Sequence, residues 1–416
     1  MTVSGDRRNL RINLDRLEGR LRELARIGAL DGGGACRLAL TDEDRRGRDL
    51  VVGWMRELGL IVSVDRIGNV VGVRPGAEDG PPVVAGSHID TVATGGIYDG
   101  CLGVLAGLEA ISVLNEAGIH TRRPVAVAFF TNEEGSRFAP DMMGSAVSQG
   151  ILDLDEVLAI QGIDGTILAD DLAAIGYAGD GAIEDFRAHC YFELHIEQGP
   201  VLDTAGETIG AVTGVQGIYW TEFKITGVAN HAGTTPMQSR HDAGYVAARI
   251  AVEARSIAHS AGANQVTNAG FLRVGPGLVN VVAGEATVTT DFRNTDVEAL
   301  KRATDDLVEF AKRVAAEEGC EIAVHPHARF DPVTFDPGSV ALVEKTARAQ
   351  GHAVRRMHSG AGHDAQMFAA NCPTAMIFVP SRDGISHNVT EYTAPEDIRA
   401  GADVLLQVLL EKAEEV

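Results

Sequence analysis

Five short segments of the chain place metal-binding side chains at or just after an apolar run. The segments are GSHIDTV, GGIYDG, FFTNEEGSRF, LHIEQGP and GISHN, and their candidate ligands are His88, Asp90, Asp99, Glu133, Glu134, His195 and His387. Imidazole and carboxylate groups are the ligands that zinc and neighbouring divalent ions accept. A single histidine beside an apolar run is usually structural, so the indication of a metal site comes from all five segments together.

The adjacent residues Glu133 and Glu134 fit the needs of a hydrolase with two metal ions. Two cations about 3.5–4 Å apart need a carboxylate between them to offset their repulsion. They also need an open coordination position for water, and a further carboxylate that takes the proton of that water. One of the two glutamates can bind metal while the other acts as the base.

Two apolar runs predict buried strands that bring the candidate ligands together. The runs lie at 83–86 and 125–130, with a helix predicted between them at 102–117. Strand, helix and strand in this order predict a mostly parallel sheet that is covered on both faces, in the α/β class. His88 and Glu133 follow these two strands, at the carboxyl ends where such sheets gather ligands.

The middle of the chain has a different pattern. Along the whole chain, further strands are predicted at 67–73, 220–228, 285–293, 321–327 and 374–379. Helices are predicted at 10–28, 242–260, 296–318, 339–350 and 395–412, and another begins after Thr41. Those between 220 and 327 suggest a small α+β layer of split βαβ type. Because candidate ligands lie on both sides of it, we predict a catalytic domain over 1–213 and 331–416, with an inserted domain over 214–330.

The charge, apolar runs and cysteines of the chain exclude some classes of partner and indicate its cellular compartment. The net charge of −22 argues against nucleic acid or an anionic membrane as a partner. The first residues have no signal-peptide core, and no apolar run is long enough to span a membrane. Five scattered cysteines without a Cys-x-x-Cys pair predict buried free thiols in a reducing cytoplasm. The sequence therefore predicts a cytoplasmic protein.

Longer motifs resemble one family. GSHIDTV, GGIYDGCLGVLAGLE, TNEEGSRF, HIEQGP, NHAGTTPM, DFRN, SGAGHDA and GISHN resemble, in consistent order, the amidase branch of the dinuclear M20 metallohydrolases. That branch contains N-carbamoyl-L-amino acid hydrolases, β-ureidopropionases and allantoate amidohydrolases. The resemblance implies two divalent ions per subunit, which could be zinc, manganese, cobalt or nickel, and a homodimer whose inserted domain serves as lid and dimerisation domain.

The resemblance also implies a role for each candidate ligand. Asp99 would bridge the two ions, with His88 and His195 on one ion and Glu134 and His387 on the other. The peptide bond after Asp99 would be cis. Peptidase and deacylase relatives generally carry an acidic ligand where this chain has His195, which favours the amidase branch.

The same resemblance implies that Glu133 is the general base and that Asp90 holds His88 in its ligating tautomer. Residues expected to contact substrate are Gln198, His231, Asn280, Arg293 and Gly360. His231 would reach the scissile carbonyl of the partner subunit's site, and Arg293 would pair with a substrate carboxylate. A simple loop hydrogen bond is the alternative for Gln198, and an ion pair with Asp291 is the alternative for Arg293. His363 and Asp364 would be structural.

The expected reaction is hydrolysis of an N-carbamoyl-L-amino acid to the amino acid, ammonia and carbon dioxide. FDPVTFDP and TGVQG resemble the carbamoyl-amino-acid and β-ureidopropionate members, whereas NEEGSRFAPDMMGS is shared with allantoate hydrolases. Allantoate amidohydrolase and β-ureidopropionase are therefore the alternatives, and an M20 dipeptidase or aminoacylase is a more distant one. Neither the substrate nor the native metal follows from the sequence.

Overall fold

The computed structural model describes residues 7–181, 186–262 and 264–415, which form two compact units. The first unit contains the described residues up to Gly214 and those from Thr334 onwards, and the second contains Val215–Val333. The predicted α/β class with a mostly parallel central sheet is confirmed. Assignment of the second unit as a lid and dimerisation domain stays a prediction.

Helices and strands alternate along the first unit. Its helices are α1 Leu14–Ala25, α2 Asp42–Glu57, α3 Cys101–Glu116, α4 Met143–Ser148, α5 Leu154–Leu158, α6 Leu168–Ala174, α7 Val201–Ala205, α10 Pro337–Ala349, α11 Asp364–Phe368 and α12 Pro395–Ala413. Its strands are β1 Ile61–Val64, β2 Val70–Arg74, β3 Val83–His88, β4 Val125–Phe130, β5 Cys190–Ile196, β6 Ile209–Val215, β13 Val333–Thr334, β14 Val354–Ser359 and β15 Thr374–Val379, with β6 and β13 crossing into the second unit. The first helix is shorter than the predicted 10–28, and Thr41 caps α2 as predicted by accepting from the Asp44 N–H.

These strands form one sheet in the order β1-β2-β4-β3-β5-β15-β6-β13, with β14 paired to β6. The four central strands, β4, β3, β5 and β15, run parallel to one another. Their flanking neighbours β2 and β6 are antiparallel to them. The carboxyl ends of the four parallel strands therefore meet at one edge of the sheet.

Helices cover both faces of the central strands, whose residues are all buried. On one face α3 lies so close that a Cβ on Gly107 would come within 3.1 Å of Ala85. On the other face Phe368 of α11 stacks on Tyr191 of β5, with ring centroids 4.3 Å apart. A parallel sheet needs such double cover because both of its faces are apolar.

The second unit is an antiparallel sheet with two helices. Its elements are β7 Gly217–Thr226, β8 Asn230–His231, α8 Ala243–Ala261, β9 Val266–Gly275, β10 Val281–Val282, β11 Glu285–Asn294, α9 Val297–Glu318 and β12 Glu321–Phe330. The sheet order β12-β7-β11-β9 is the split βαβ arrangement expected from the sequence. Phe223, Val288 and Phe292 on the sheet pack with Ile250 and Leu307 on the helices. β9 and β12 are the edge strands, and β8 pairs with β10 in a separate ribbon.

Two predictions from composition can be compared with this structure. The five cysteines are free thiols, as predicted, but only Cys101 and Cys190 are fully buried, whereas Cys36, Cys320 and Cys372 are partly exposed. Across the part of the chain that the structure describes, no helix combines the length and the apolar character needed to cross a membrane.

Candidate metal centre

The candidate ligands meet at the edge of the sheet where the parallel strands end. His88 is the last residue of β3, and His195 lies near the end of β5. Glu133 and Glu134 follow β4 closely, and His387 lies between β15 and α12. Asp99 lies two residues before the start of α3, and Gly100 lies between them.

Asp99 turns its two carboxylate oxygens toward different partners. Its Oδ1 lies 3.1 Å from His195 Nε2 and 3.6 Å from His88 Nε2. Its Oδ2 lies 3.5 Å from His387 Nε2, which in turn lies 3.3 Å from Glu134 Oε2. The chain therefore has two three-residue ligand groups that share Asp99, and the ligand atoms in each group lie within 4.8 Å of one another. This arrangement can hold one cation on each oxygen.

The tautomers of the two buried histidines fit that use. The Nδ1 of His88 lies 2.9 Å from the main-chain oxygen of Asp90, and the Nδ1 of His195 lies 2.8 Å from that of Ile196. A carbonyl only accepts, so each Nδ1 donates its proton and a neutral ring keeps a lone pair on Nε2. Both Nε2 lone pairs then face the negatively charged carboxylate of Asp99. A cation or a proton is needed between each lone pair and the carboxylate to offset their repulsion.

Asp90 holds the Nδ1–H of His88 with its main-chain oxygen, and its carboxylate lies farther from the ring. Its main-chain oxygen accepts the hydrogen bond, and its Oδ1 lies 3.9 Å from His88 Nδ1. The carboxylate instead accepts the N–H groups of Glu133 and Glu134, each at 3.3 Å. Asp90 thus positions the two glutamates, because its main chain already satisfies the histidine.

The two glutamates have different contacts. Glu133 Oε2 lies 3.3 Å from His88 Nε2, whereas Glu134 contacts His387 and accepts the Val92 N–H at 3.3 Å through its other oxygen. Burial, together with neighbouring negative charges, raises the pKa of both carboxyl groups well above the ordinary value. Cations at the centre would act in the opposite direction and favour the ionised forms.

Burial alone would also raise the pKa of Asp99, but when the Nε2 atoms of His195 and His88 carry protons, the hydrogen bonds and positive charge of these rings hold it well below its ordinary value. Asp99 also lies at the amino end of α3, where the helix dipole favours negative charge. The bridging candidate is therefore the carboxylate of the centre that is most firmly ionised.

The expected cis peptide after Asp99 is wrong for this structure. Among the described residues, cis bonds occur at Ala139–Pro140 and Gly275–Pro276. The chain turns instead at Gly100, whose φ of 63° and ψ of −50° allow the Cys101 N–H to reach the Asp99 carbonyl at 2.6 Å. This is a γ-turn, which glycine tolerates because it has no Cβ. A Cβ at Gly100 would overlap the ring of His88.

Sequence reasoning missed Glu391 and Ser386, which contact Asp99 from the segment around His387. Glu391 accepts the Asp99 N–H at 3.2 Å, and the Ser386 hydroxyl donates to Asp99 Oδ2 at 3.0 Å. Burial and the charge of Asp99 raise the pKa of Glu391 to about 7. The only signal was an acidic residue shortly after GISHN, which is too common in loops to single out.

His363 forms a third group with Glu193 and His195. Its Nε2 lies 2.8 Å from the Ser359 hydroxyl, and its ring packs edge-on against His195 with centroids 4.6 Å apart. Burial holds the pKa of His363 well below its ordinary value. These contacts agree with the structural role expected for His363, because His195 already presents its Nε2 to Asp99.

Gln198 lies against the ligand set. Its Nε2 donates to Asp99 Oδ2 at 2.9 Å and lies 3.4 Å from His387 Nε2. Its main-chain N–H donates to the Ser381 hydroxyl at 3.0 Å. The expected substrate contact of Gln198 would thus be made beside the metal ligands. Gly360 is exposed directly after β14, where a Cβ would meet open space.

The remaining predicted site residues belong to the second unit. His231 is exposed, and its Nδ1 accepts the N–H groups of Gly233 and Thr234 at 3.1 and 3.2 Å. A neutral ring therefore carries its proton on Nε2, which is available as a donor. Asn280 adjoins it across the ribbon, where its carbonyl accepts the Ala232 N–H at 2.9 Å.

Arg293 forms the ion pair with Asp291 that was the alternative to a substrate contact. Its Nη2 lies 2.9 Å from Asp291 Oδ2, and its Nε lies 3.1 Å from the same oxygen. Asp291 and Arg293 are two residues apart on β11, so their side chains point to the same face of the sheet. A substrate carboxylate would have to share or replace this partner.

Comparison with known proteins finds amidohydrolases that are similar over nearly the whole chain. The chain is 41% identical to an N-carbamoyl-L-amino-acid amidohydrolase of Rhizobium meliloti, over 98% of each chain. It is 36% identical to an allantoate amidohydrolase of Escherichia coli, over 95% of this chain and 97% of the relative. A solved hydantoinase/carbamoylase family amidase from Burkholderia multivorans is 45% identical, with a TM-score of 0.93 over 98% of this chain and 99% of the other.

The family model for peptidase family M20/M25/M40 matches residues 84–411, which include both ligand groups and the whole second unit. That family depends on metal ions, as the two ligand groups on Asp99 also indicate. The chain therefore belongs to the peptidase M20/M25/M40 family.

Proposed function

We propose that this protein is an amidohydrolase that uses two divalent cations to cleave the carbamoyl C–N bond of an N-carbamoyl-L-amino acid. The observation that carries the proposal is the geometry of Asp99. One carboxylate oxygen faces His88 and His195, and the other faces His387, beside Glu134. Two cations on one carboxylate are a recurring arrangement for hydrolysis of amide and phosphate bonds.

When bound, the cations would lower the pKa of water from 15.7 toward about 7 and polarise the substrate carbonyl. Glu133 then takes the proton of the attacking water and passes it to the leaving nitrogen of the carbamoyl group. Its position supports this role, since it lies 3.3 Å from His88 yet belongs to neither of the groups that share Asp99. Attack at the ureido carbon yields the amino acid, ammonia and carbon dioxide.

The second unit would supply the contacts to the substrate's polar groups. The Nε2–H of His231 donates to the carbonyl oxygen as negative charge develops there. Arg293 binds the α-carboxylate with its planar fork, and Asn280 and Gln198 bind the carboxylate and amide. Closure of the unit would bring these groups onto the centre.

The choice of substrate follows the relatives and the ligand at position 195. Several N-carbamoyl-L-amino-acid amidohydrolases are 32–41% identical over nearly the whole chain. Allantoate is the second candidate because allantoate amidohydrolases are 32–36% identical over similar lengths. β-Ureidopropionate is a further candidate in the same class. A dipeptidase or aminoacylase is less favoured because His195 replaces the acidic ligand that such relatives generally carry.

The test measures ammonia and free amino acid released from a panel of substrates by protein loaded separately with zinc, manganese, cobalt or nickel. The panel contains N-carbamoyl-L-amino acids and their D-enantiomers, β-ureidopropionate, allantoate and dipeptides. We expect the highest kcat/KM with an N-carbamoyl-L-amino acid. A preference for allantoate would change the assigned substrate to allantoate but keep the protein in the same class of amidohydrolases. Cleavage of dipeptides without ammonia release would overturn it.

We also propose that the protein is a homodimer joined through the second unit. The edge strand β9 exposes Val266, Phe271, Leu272 and Val274. An exposed apolar edge with unpaired main-chain groups is a natural site for pairing with a second copy. The dimer would let His231 of one subunit serve the centre of the other.

A further inference from the structure

Glu391 is a buried carboxylate that joins two loops of the metal centre. Its Oε1 accepts the N–H groups of Tyr98 and Asp99, each at 3.2 Å. Its Oε2 lies 3.0 Å from the Oγ of Ser386, whose one proton is shared between this oxygen and Asp99 Oδ2. One side chain therefore holds the main chain at the bridging candidate and the residue that precedes His387.

The loop before Asp99 is shaped to admit this carboxylate. A Cβ on Gly96 would overlap the carboxylate of Glu391, so the second glycine of GGIYDG leaves the space that Glu391 fills. Only 6% of Glu391 is exposed, although a lone buried carboxylate is costly. The hydrogen bonds with Tyr98, Asp99 and Ser386 offset that cost, so the loop around Asp99 is shaped to bind the carboxylate of Glu391.

Ser386 connects Glu391 to the carboxylate of Asp99. Its Oγ lies 3.0 Å from Asp99 Oδ2 and 3.0 Å from Glu391 Oε2. Gln198 donates to the same Asp99 oxygen at 2.9 Å. The plane of the Asp99 carboxylate is thus set at Oδ2 by two side-chain donors, while Glu391 fixes the main chain that carries it.

We propose that Glu391 and Ser386 are positioning residues that orient Asp99 so that its two oxygens face separate ligand groups. The proposal rests on the proposed function, because it takes Asp99 to bridge two cations. Partners behind metal ligands commonly contribute 10–100-fold to metal affinity. The contribution of Glu391 depends on hydrogen-bond geometry, so an isosteric amide should preserve it.

The experiment is titration of metal-free full-length protein with Co²⁺, read by its visible absorption and by the bound metal per subunit. Glu391→Ala removes all three hydrogen bonds and should weaken Co²⁺ binding by about 10–100-fold, with an altered spectrum. Glu391→Gln keeps Oε1 for the two N–H groups, and its Nε2 donates to Ser386, which then donates to Asp99. Its Co²⁺ affinity and spectrum should stay close to those of the parent.

Two further variants separate positioning from folding. Asp403→Ala removes another buried carboxylate, which lies on α12 and accepts the Ile12 N–H at 2.8 Å. It should lower the melting temperature and leave Co²⁺ binding unchanged. Ser386→Ala removes one hydroxyl and leaves the main-chain contacts, so it should weaken binding less than Glu391→Ala and still change the spectrum. If Glu391→Ala does not fold, Ser386→Ala tests the same orientation.

The outcomes distinguish this proposal from the proposed function. Parent protein that binds no Co²⁺ overturns the dinuclear centre itself. Parent protein that binds two Co²⁺ while Glu391→Ala and Ser386→Ala bind as well as the parent overturns the positioning role alone. Equal loss in Glu391→Gln and Glu391→Ala also overturns it, since charge rather than hydrogen-bond geometry would then be the cause.

Discussion

At the residue scale, the surrounding side chains give the adjacent residues Glu133 and Glu134 different contacts. Asp90 binds the main-chain N–H of both, yet only Glu134 lies in a group with Asp99 and His387. Glu133 lies beside His88 without joining a group. The same carboxylate can therefore bind a cation at one position and remain available for a proton at the next.

Glu133→Gln should lower kcat by at least about 10²–10⁴-fold, because the amide cannot accept the proton of water. Metal content, measured by plasma mass spectrometry after dialysis, should match that of the parent. Glu134→Gln is the matched control and should lose metal. Loss of metal from Glu133→Gln with retention by Glu134→Gln would show that the two roles are reversed.

Arg293→Lys should raise KM about tenfold or more with little change in kcat, since it loses a charged two-pronged contact worth about 1.5–3 kcal/mol. Asp291→Asn is the companion variant, because Asp291 now occupies the fork of Arg293. It should lower KM if the substrate carboxylate competes for that fork. An unchanged KM in both variants would indicate that the ion pair only supports the sheet.

Much of the centre was predictable from residue types next to apolar runs, but contacts made by main-chain atoms were not. The carbonyl of Asp90, rather than its carboxylate, holds His88. No residue type encodes that contact. Glu391 reaches Asp99 from far along the chain, so its role depends on the folded path of two loops.

At the scale of elements, four parallel strands end beside carboxylates that repel one another. Asp90, Asp99, Glu133 and Glu134 lie in loops that follow or precede these elements, with Asp90, Asp99 and Glu133 buried. Two cations would offset that repulsion, and their removal should loosen the loops before it affects the helices behind them.

Chelation of the metal should therefore lower the melting temperature by about 3–4 °C, the shift expected for a protein of this length when a ligand that contributed about 2.7 kcal/mol is removed. Hydrogen exchange should rise first in 88–101, 131–135 and 385–391, and α12 should remain protected. Re-addition of the metal is the control and should restore both. Unchanged exchange in those loops would contradict a structural role for the ions.

The central strands β3, β4 and β15 were predictable because complete burial gives continuous apolar runs, whereas Glu193 and His195 interrupt the apolar run of β5, which was not predicted. The edge strand β9 was not, because most of its residues are exposed and it contains Asn268 and Gly270. Pairing with β11 holds β9 in the extended conformation. The register of this pair shifts near Thr289. Edge strands of this kind depend on tertiary pairing more than on local sequence.

At the scale of the whole molecule, the proposed dimer predicts complementation between inactive subunits. His231→Ala should cost about 10²–10³ in kcat through loss of one donor to the oxyanion. Mixing it with Glu133→Gln should restore activity, because one hybrid site receives Glu133 from one chain and His231 from the other. The measurement is activity of heterodimers purified with two different tags. Absence of recovery in those heterodimers would show that each site is built from one chain.

The place of β15 in the sheet also determines when the centre can exist during biosynthesis. β15 lies between β5 and β6, and its Thr374 pairs with Tyr191, so the sheet stays incomplete until the last part of the chain leaves the ribosome. The inserted unit emerges earlier and contains its own core, so it can fold first. His387 follows β15, and a nascent chain that stalls before it would present a partial ligand set beside an open edge of the sheet.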